Sequence, residues 1–132
     1  MKLYDISKVL SESDCLWPAD KLQAVYNRLS DQITKDLKDS NPLVLCVMNG
    51  GLFLTAELLQ RMNFLLELDY IHATRYQGET AGGQMQWVHL PKDKIRGRRI
   101  LIVDDILDIG ITLREIQAAC LEAGAADVNS VV

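Results

Sequence analysis

The stretch Ile100-Leu-Ile-Val-Asp-Asp-Ile-Leu-Asp-Ile-Gly-Ile-Thr-Leu113 decides how this chain folds. Ile100–Val103 is an uninterrupted apolar run, which is typical of a strand buried on both faces of a parallel sheet. The strand must leave the core at two adjacent carboxylates, Asp104 and Asp105. Thr112 and Glu115 then have capping-box spacing, which predicts a helix that begins at Thr112.

The loop between this strand and this helix combines two kinds of binding group. Backbone amides at a helix start favour an anion. The carboxylates of Asp104, Asp105 and Asp108 favour hydroxyl groups or a hard cation. One ligand that offers all three is a sugar phosphate that carries Mg²⁺.

Composition and charge restrict the classes of function. A chain of 132 residues, 48% of them hydrophobic, can form one domain with a real core. A net charge of −4 without a Lys/Arg tract argues against general nucleic-acid binding. No apolar stretch approaches the length of a membrane span, and charged residues near the N-terminus replace a signal sequence. Three widely spaced cysteines are most simply reduced thiols, so we expect a cytoplasmic protein.

The coarse pattern alternates helices and strands, which favours an α/β domain with a mainly parallel sheet. Pro18 is expected at the first position of a helix that runs to about Lys38. A later helix is expected to end near Gly124, in the manner of a C′ glycine. The other predicted elements are a strand over Leu43–Val47, a helix from Leu52 to about Arg61, a strand over Leu66–His72, a returning arm over Met85–Leu90 and a strand over Val128–Val132.

Two further segments are candidates for function. Met48-Asn49-Gly50-Gly51 follows a predicted buried strand, and paired glycines there permit close approach of the backbone to a ligand. The alternative is an ordinary tight turn. Arg75 and Tyr76 precede a stretch rich in glycine, Gln77–Gln84, which is predicted to be a mobile loop. The alternative here is a surface arginine beside a packing tyrosine.

The segment from Asp104 to Thr112 resembles the motif with which type I phosphoribosyltransferases bind 5-phosphoribosyl 1-diphosphate (PRPP). That motif has two acidic residues, two apolar ones and then Asp-x-Gly-x-Thr, and this chain matches every key position. Receiver domains also end a buried strand in paired aspartates, but near their N-terminus and with a lysine on a later strand. Only 27 residues follow Asp105 and none is lysine, so the receiver alternative is disfavoured.

The glycine loop, the Arg-Tyr pair and the PRPP motif occur in the order found in hypoxanthine-guanine phosphoribosyltransferases of bacteria. The resemblance implies a three-layer α/β domain over residues 1–132, with a mainly parallel twisted sheet flanked by helices and with its C-terminal part absent. It also implies transfer of phosphoribose from PRPP to a 6-oxopurine, Mg²⁺ as cofactor, and a homo-oligomer (dimer or tetramer) that binds neither nucleic acid nor membrane.

The same resemblance implies a role for each matching residue. Asp104 and Asp105 hold the ribose hydroxyls, directly or through Mg²⁺, and Asp108 is the general base at purine N7 and part of the phosphate loop. The remaining assignments are 5′-phosphate binding by Ile109, Gly110, Ile111 and Thr112, pyrophosphate binding by Met48, Asn49, Gly50 and Gly51 with a cis peptide at Met48–Asn49, and a lid that contains Arg75 and Tyr76.

The chain departs from the family in ways that leave other functions open. Many members have lysine where this chain has Asn49, and the family's base-recognition residues, which lie beyond the last strand, have no counterpart here. One alternative is a regulatory protein of the same fold that responds to nucleotides or PRPP. Another is a domain that binds PRPP without catalysis. We expect the natural protein to continue past Val132.

Overall fold

The computed structural model describes residues 3–75 and 83–132, apart from the side chains of residues 3 and 4. Within these ranges the elements follow in the order α1 (Leu3–Glu12), α2 (Ala19–Leu37), β1 (Leu43–Val47), α3 (Leu52–Leu59), β2 (Glu67–Arg75), β3 (Met85–His89), α4 (Lys92–Ile95), β4 (Arg99–Val103), α5 (Ile111–Glu122) and β5 (Asp127–Val131). The alternation of helices and strands matches the predicted α/β class.

The strands form a sheet with the order β3-β2-β1-β4-β5. All neighbouring pairs are parallel except β2 and β3, which pair antiparallel as a strand and its returning arm. Every residue of β1 is buried, and so are Ile100 to Val103 of β4. The two apolar runs in the sequence are therefore buried strands, as predicted, and they lie next to each other inside the sheet. β5 lies at the edge and is mostly half-buried.

Helices cover both faces of the sheet, which gives the three predicted layers. On one face, Ile116 and Cys120 of α5 join a cluster with Leu45 and Ile102. The opposite face is covered by α2 and α3, whose apolar side chains join Val44, Leu101 and Val103. Burial raises the pKa of the Cys120 thiol to about 11, consistent with a core residue.

The neighbouring strands β1 and β4 send the chain to opposite faces. The chain passes from β1 to α3 on one face and from β4 to α5 on the other. Such a change of side opens a crevice beyond the carboxyl ends of the two strands, the usual place for a ligand in open α/β sheets. The crevice here is bordered by residues 48–51 and 104–110.

Some predicted boundaries are wrong. Pro18 is the N-cap of α2 and not its first residue. α5 begins at Ile111 and not at Thr112, because Gly110 adopts a left-handed conformation (φ 77°) and occupies the N-cap position. Thr112 therefore lies inside the first turn and cannot form the predicted capping box. The glycine after α5 is confirmed: Gly124 has φ 90° and follows the C-cap residue Ala123.

The described helices include none that is both long enough and apolar enough to cross a membrane. Cys15, Cys46 and Cys120 are free thiols, and Cys46 is buried in β1, as predicted.

Candidate active site

Asp104 and Asp105 lie where β4 leaves the sheet, and they differ in their surroundings. The backbone N–H of Asp104 donates to the carbonyl of Val131 (3.1 Å), so this residue is still held by β5. Its side chain is buried, and Oδ1 accepts the backbone N–H of Asp105 (2.9 Å). Asp105 itself is exposed. One carboxylate is therefore fixed by the sheet and the other faces the crevice.

The pKa of Asp104 lies above its ordinary value. Burial is the main cause, because a carboxylate removed from water loses solvation. The neighbouring Asp105 raises the pKa of Asp104 further through its side chain, while the hydrogen bond from its backbone N–H acts in the opposite direction. A cation or a hydroxyl donor bound at this position would relieve the unfavourable charge.

The loop after β1 approaches these carboxylates very closely. A β-carbon added to Gly50 would lie 2.5 Å from Oδ2 of Asp105. One added to Gly51 would lie 2.4 Å from the carbonyl oxygen of Val103 and 3.2 Å from the α-carbon of Asp104. At Gly51 only glycine allows this approach, because the facing atoms belong to backbone, whereas a side chain at Gly50 would overlap the Asp105 carboxylate and displace it. Both close approaches go beyond the ordinary tight turn considered from the sequence.

The backbone of this loop has a second special feature. The Met48–Asn49 peptide bond is cis, at the position that the family resemblance indicates. The loop is fixed at both ends, because Met48 N–H donates to the carbonyl of Ile71 (2.8 Å) and Gly51 N–H donates to that of Val47 (2.8 Å). The residues between these anchors border the crevice.

The loop from Asp108 to Thr112 presents the start of α5. No side chain caps this helix, and its first backbone hydrogen bond runs from Arg114 N–H to the Gly110 carbonyl (3.1 Å). The amides of Ile111, Thr112 and Leu113 precede that bond, and amides at such positions have no partner within their own helix. With Asp108 and Ile109 exposed beside them, this helix start can accept an anion.

Arg75, the last residue of β2, reaches the first turn of α5. Its Nη2 donates to Thr112 Oγ1 (3.1 Å) and to Glu115 Oε2 (2.9 Å). The two side chains expected to form a capping box are therefore held by an arginine from another strand. No local sequence pattern predicts this contact, because Arg75 and Glu115 are 40 residues apart. Tyr76 lies outside the described residues, as does most of the predicted mobile loop.

The donor set fits the metal that the resemblance implies. The described residues contain no group of three or more His, Cys, Asp or Glu side chains that could hold a metal ion. Mg²⁺ does not require one, since it is commonly held by one or two carboxylates together with phosphates of the substrate. Asp104 and Asp105 supply hard oxygen ligands of that kind.

A family model described as "Phosphoribosyl transferase domain" matches residues 18–132 of the chain. The chain is 34% identical to hypoxanthine-guanine-xanthine phosphoribosyltransferase of Tritrichomonas foetus over 76% of this chain and 55% of that protein. It is 32% identical to hypoxanthine-guanine phosphoribosyltransferase of Streptococcus pneumoniae over 95% of this chain and 67% of the relative.

Solved structures show the same fold. A hypoxanthine phosphoribosyltransferase from Staphylococcus aureus superposes with a TM-score of 0.83 at 23% identity, over 90% of this chain and 65% of that one. A hypoxanthine-guanine phosphoribosyl transferase from L. donovani superposes with a TM-score of 0.80 at 25% identity, over 90% and 74% of the two chains. The chain thus spans between about half and three quarters of the length of these relatives.

Proposed function

Because this chain belongs to the phosphoribosyl transferase domain family, we propose that the protein transfers phosphoribose from PRPP to a 6-oxopurine, hypoxanthine or guanine. The products are the nucleoside 5′-monophosphate and pyrophosphate, so the reaction serves purine salvage. One observation carries the proposal: the glycine loop after β1 meets the carboxylate pair after β4 so closely that a side chain at Gly50 would overlap the Asp105 carboxylate. A single ligand in this crevice contacts both loops.

Each part of the crevice suits one part of PRPP. The free amides of the α5 start, the backbone of Ile109 and Gly110 and the Thr112 hydroxyl bind the 5′-phosphate. Asp104 and Asp105 accept hydrogen bonds from the ribose hydroxyls. The loop over residues 48–51 takes the leaving pyrophosphate, with backbone amides in place of the lysine that many family members have at position 49.

Mg²⁺, when bound, would neutralise the charge that accumulates on the departing pyrophosphate. The chain's own contribution is to position and to stabilise. Asp108 lies in the exposed loop beside the phosphate site and accepts the proton from purine N7 as general base. A displacement at C1′ that proceeds through a cationic sugar requires no covalent bond to the protein, so oriented carboxylates and amides suffice.

We also propose that the protein is a cytoplasmic homo-oligomer, a dimer or a tetramer. Large apolar side chains are exposed along the segment from α3 to β2, where Phe53 is 82% exposed, Leu65 72% and Leu68 50%. Exposed apolar side chains mark a protein–protein contact when they form one contiguous patch. Sedimentation of the purified protein tests the state of association.

The protein should be assayed with PRPP, Mg²⁺ and each of hypoxanthine, guanine, xanthine and uracil. We expect turnover with hypoxanthine and guanine and none with uracil. Turnover with uracil alone would show the purine assignment to be wrong. Absence of turnover with every base, together with tight PRPP binding, would favour a second candidate function, binding of PRPP without catalysis.

That second candidate is a domain that binds PRPP without catalysis. The fact in its favour is the share of the relatives that this chain spans, 55% of the Tritrichomonas foetus protein and 67% of the Streptococcus pneumoniae one. Calorimetric titration with Mg²⁺ and PRPP, made alongside the turnover assay, separates the two candidates.

A further inference from the structure

Arg75 is not a free surface residue, although its side chain is partly exposed. Besides its bonds to Thr112 and Glu115, it donates from Nη1 to the carbonyl of Gly83 (3.2 Å), close to the start of β3. Its guanidinium is thereby held between Gly83 and the beginning of α5. Among the described residues, Glu115 is the one carboxylate that forms an ion pair with it (2.9 Å).

The contact with Thr112 restricts where that hydroxyl group can point. A threonine hydroxyl has one proton to donate and two lone pairs that accept. Arg75 Nη2 donates to the oxygen, so a lone pair faces the guanidinium and the hydroxyl proton must point elsewhere. The proton is then available to an anion at the start of α5, where the backbone amides are uncapped.

The ion pair with Glu115 restricts the guanidinium in turn. A guanidinium is always charged and has several donors in a fixed plane, so it can bond Thr112 and Glu115 at the same time. Glu115 thus keeps Arg75 in place and offsets its charge. A phosphate group at the helix start carries about −1.5 to −2 charges. It and the Glu115 carboxylate are both attracted to the Arg75 guanidinium, so the carboxylate weakens the attraction of the arginine for the phosphate.

We propose that Arg75 is a positioning residue for the 5′-phosphate: it orients the Thr112 hydroxyl as a donor to that phosphate, and Glu115 tempers its attraction for anions. This inference rests on the proposed function, since it concerns the phosphate site of the same ligand. It assigns a separate task to each of three side chains, two of which the family's motif does not contain.

Two variants of the ion pair separate this role from a purely structural one. Arg75→Met keeps the length and loses both donors and charge, so ribose 5-phosphate should bind about tenfold more weakly. Glu115→Gln keeps an oxygen that accepts from Arg75 but removes the negative charge, so the same ligand should bind a few-fold more tightly. A contact that served only the fold would shift both variants in the same direction.

The role of the hydroxyl is tested by a double-mutant cycle. If Arg75 acts through Thr112, then Arg75→Met should weaken ribose 5-phosphate binding much less in a Thr112→Ala background than in the parent. Arg75→Lys, which keeps the charge, should restore part of the affinity. The matched control is Arg99→Met, which removes a similar ion pair (Arg99 to Asp127, 3.0 Å) at the opposite end of β4 and should leave the affinity unchanged.

Titration calorimetry with ribose 5-phosphate gives the affinities, and thermal unfolding checks that each variant is folded. An Arg75→Met affinity within twofold of the parent overturns the proposal, as does equal weakening by Arg75→Met and Glu115→Gln. If Arg75→Met does not fold, Arg75→Lys and Glu115→Gln still test the proposal. The first should bind ribose 5-phosphate more weakly than the parent and the second more tightly. If the parent turns over hypoxanthine and the variants bind ribose 5-phosphate as the parent does, the role of Arg75 is refuted and the proposed activity is not. If the variants show the expected changes in affinity but the parent turns over no base, the proposed activity is refuted and the role of Arg75 is not.

Discussion

Gly50 and Asp105 are in contact although they belong to two loops that follow different strands. A β-carbon at Gly50 would lie 2.5 Å from the carboxyl carbon of Asp105, well inside van der Waals contact. The Asp105 carboxylate can keep this position only while residue 50 is glycine.

Gly50→Ala should impair the site more than the fold. Asp105 is exposed and has a short side chain that can rotate away, so the added methyl group displaces the carboxylate and spares the backbone. We expect PRPP affinity to fall roughly tenfold or more, because a carboxylate displaced by about 1 Å is no longer aligned with the bound ligand. Calorimetric titration with Mg²⁺ and PRPP measures the change, and a thermal midpoint close to that of the parent shows that the fold is kept.

Gly51→Ala should lower the stability of the fold more than Gly50→Ala does. The atoms that its β-carbon would meet belong to backbone, the Val103 carbonyl at 2.4 Å and the Val47 carbonyl at 3.0 Å, and neither can rotate away. Overpacking of this kind costs about 1–3 kcal/mol in the free energy of unfolding. Urea denaturation of the two variants side by side is the test. Equal stability of both would contradict the distinction between a movable carboxylate and a fixed backbone.

The central strands could be predicted from the sequence because β1 and β4 are buried on both faces, so burial leaves a continuous apolar signature. The start of α5 could not. Thr112 and Glu115 have capping-box spacing, yet a local pattern cannot show that an arginine 37 residues before Thr112 will bind both. Tertiary contacts replaced the expected local ones. The strand-end carboxylates and the glycine loop could be predicted, because strand ends and glycine pairs are visible locally.

The carboxylate pair gives a further prediction. Replacing Asp104 and Asp105 together by asparagine should weaken Mg²⁺-PRPP binding by about 10- to 100-fold, the usual effect of losing hydrogen bonds to charged groups. Stability should be at least that of the parent, since the change removes two adjacent charges, one of them buried. Asparagine at position 104 keeps an oxygen that can accept the backbone N–H of residue 105. Unchanged PRPP affinity in the titration would show that the ligand lies elsewhere.

Asp108→Asn should lower kcat in the full-length protein by roughly 10²–10⁴-fold, the range for loss of a general acid or base. The affinity for PRPP should change much less, because the amides at the start of α5 remain. A helix-capping role would be the structural alternative, but no side chain caps α5. Steady-state kinetics with hypoxanthine, together with PRPP titration, separates the two effects. A variant with normal kcat would remove Asp108 from the chemistry.

Asp69, far from the crevice in the first half of β2, should make stability depend on pH. Its carboxylate accepts from Lys94 Nζ (2.7 Å), the Tyr70 N–H (2.8 Å) and His89 Nε2 (3.0 Å). Burial alone would raise the pKa of Asp69, but these hydrogen bonds outweigh burial, with the one from Lys94 the largest of them, and hold the pKa below its ordinary value of 3.8. The folded state therefore favours the charged form.

The stabilisation from this carboxylate is complete above pH 3.8 and is lost as the pH falls through the lower pKa of the folded state. At pH 7, Asp69→Asn should lower the thermal midpoint by roughly 2–5 °C, and the difference from the parent should shrink as the pH falls below 3.8. Asp31→Asn, at an exposed position of α2, changes the net charge equally and should have little effect. A deficit in Asp69→Asn that stayed constant down to acid pH would mean that the side chain stabilises by packing and not through its charge.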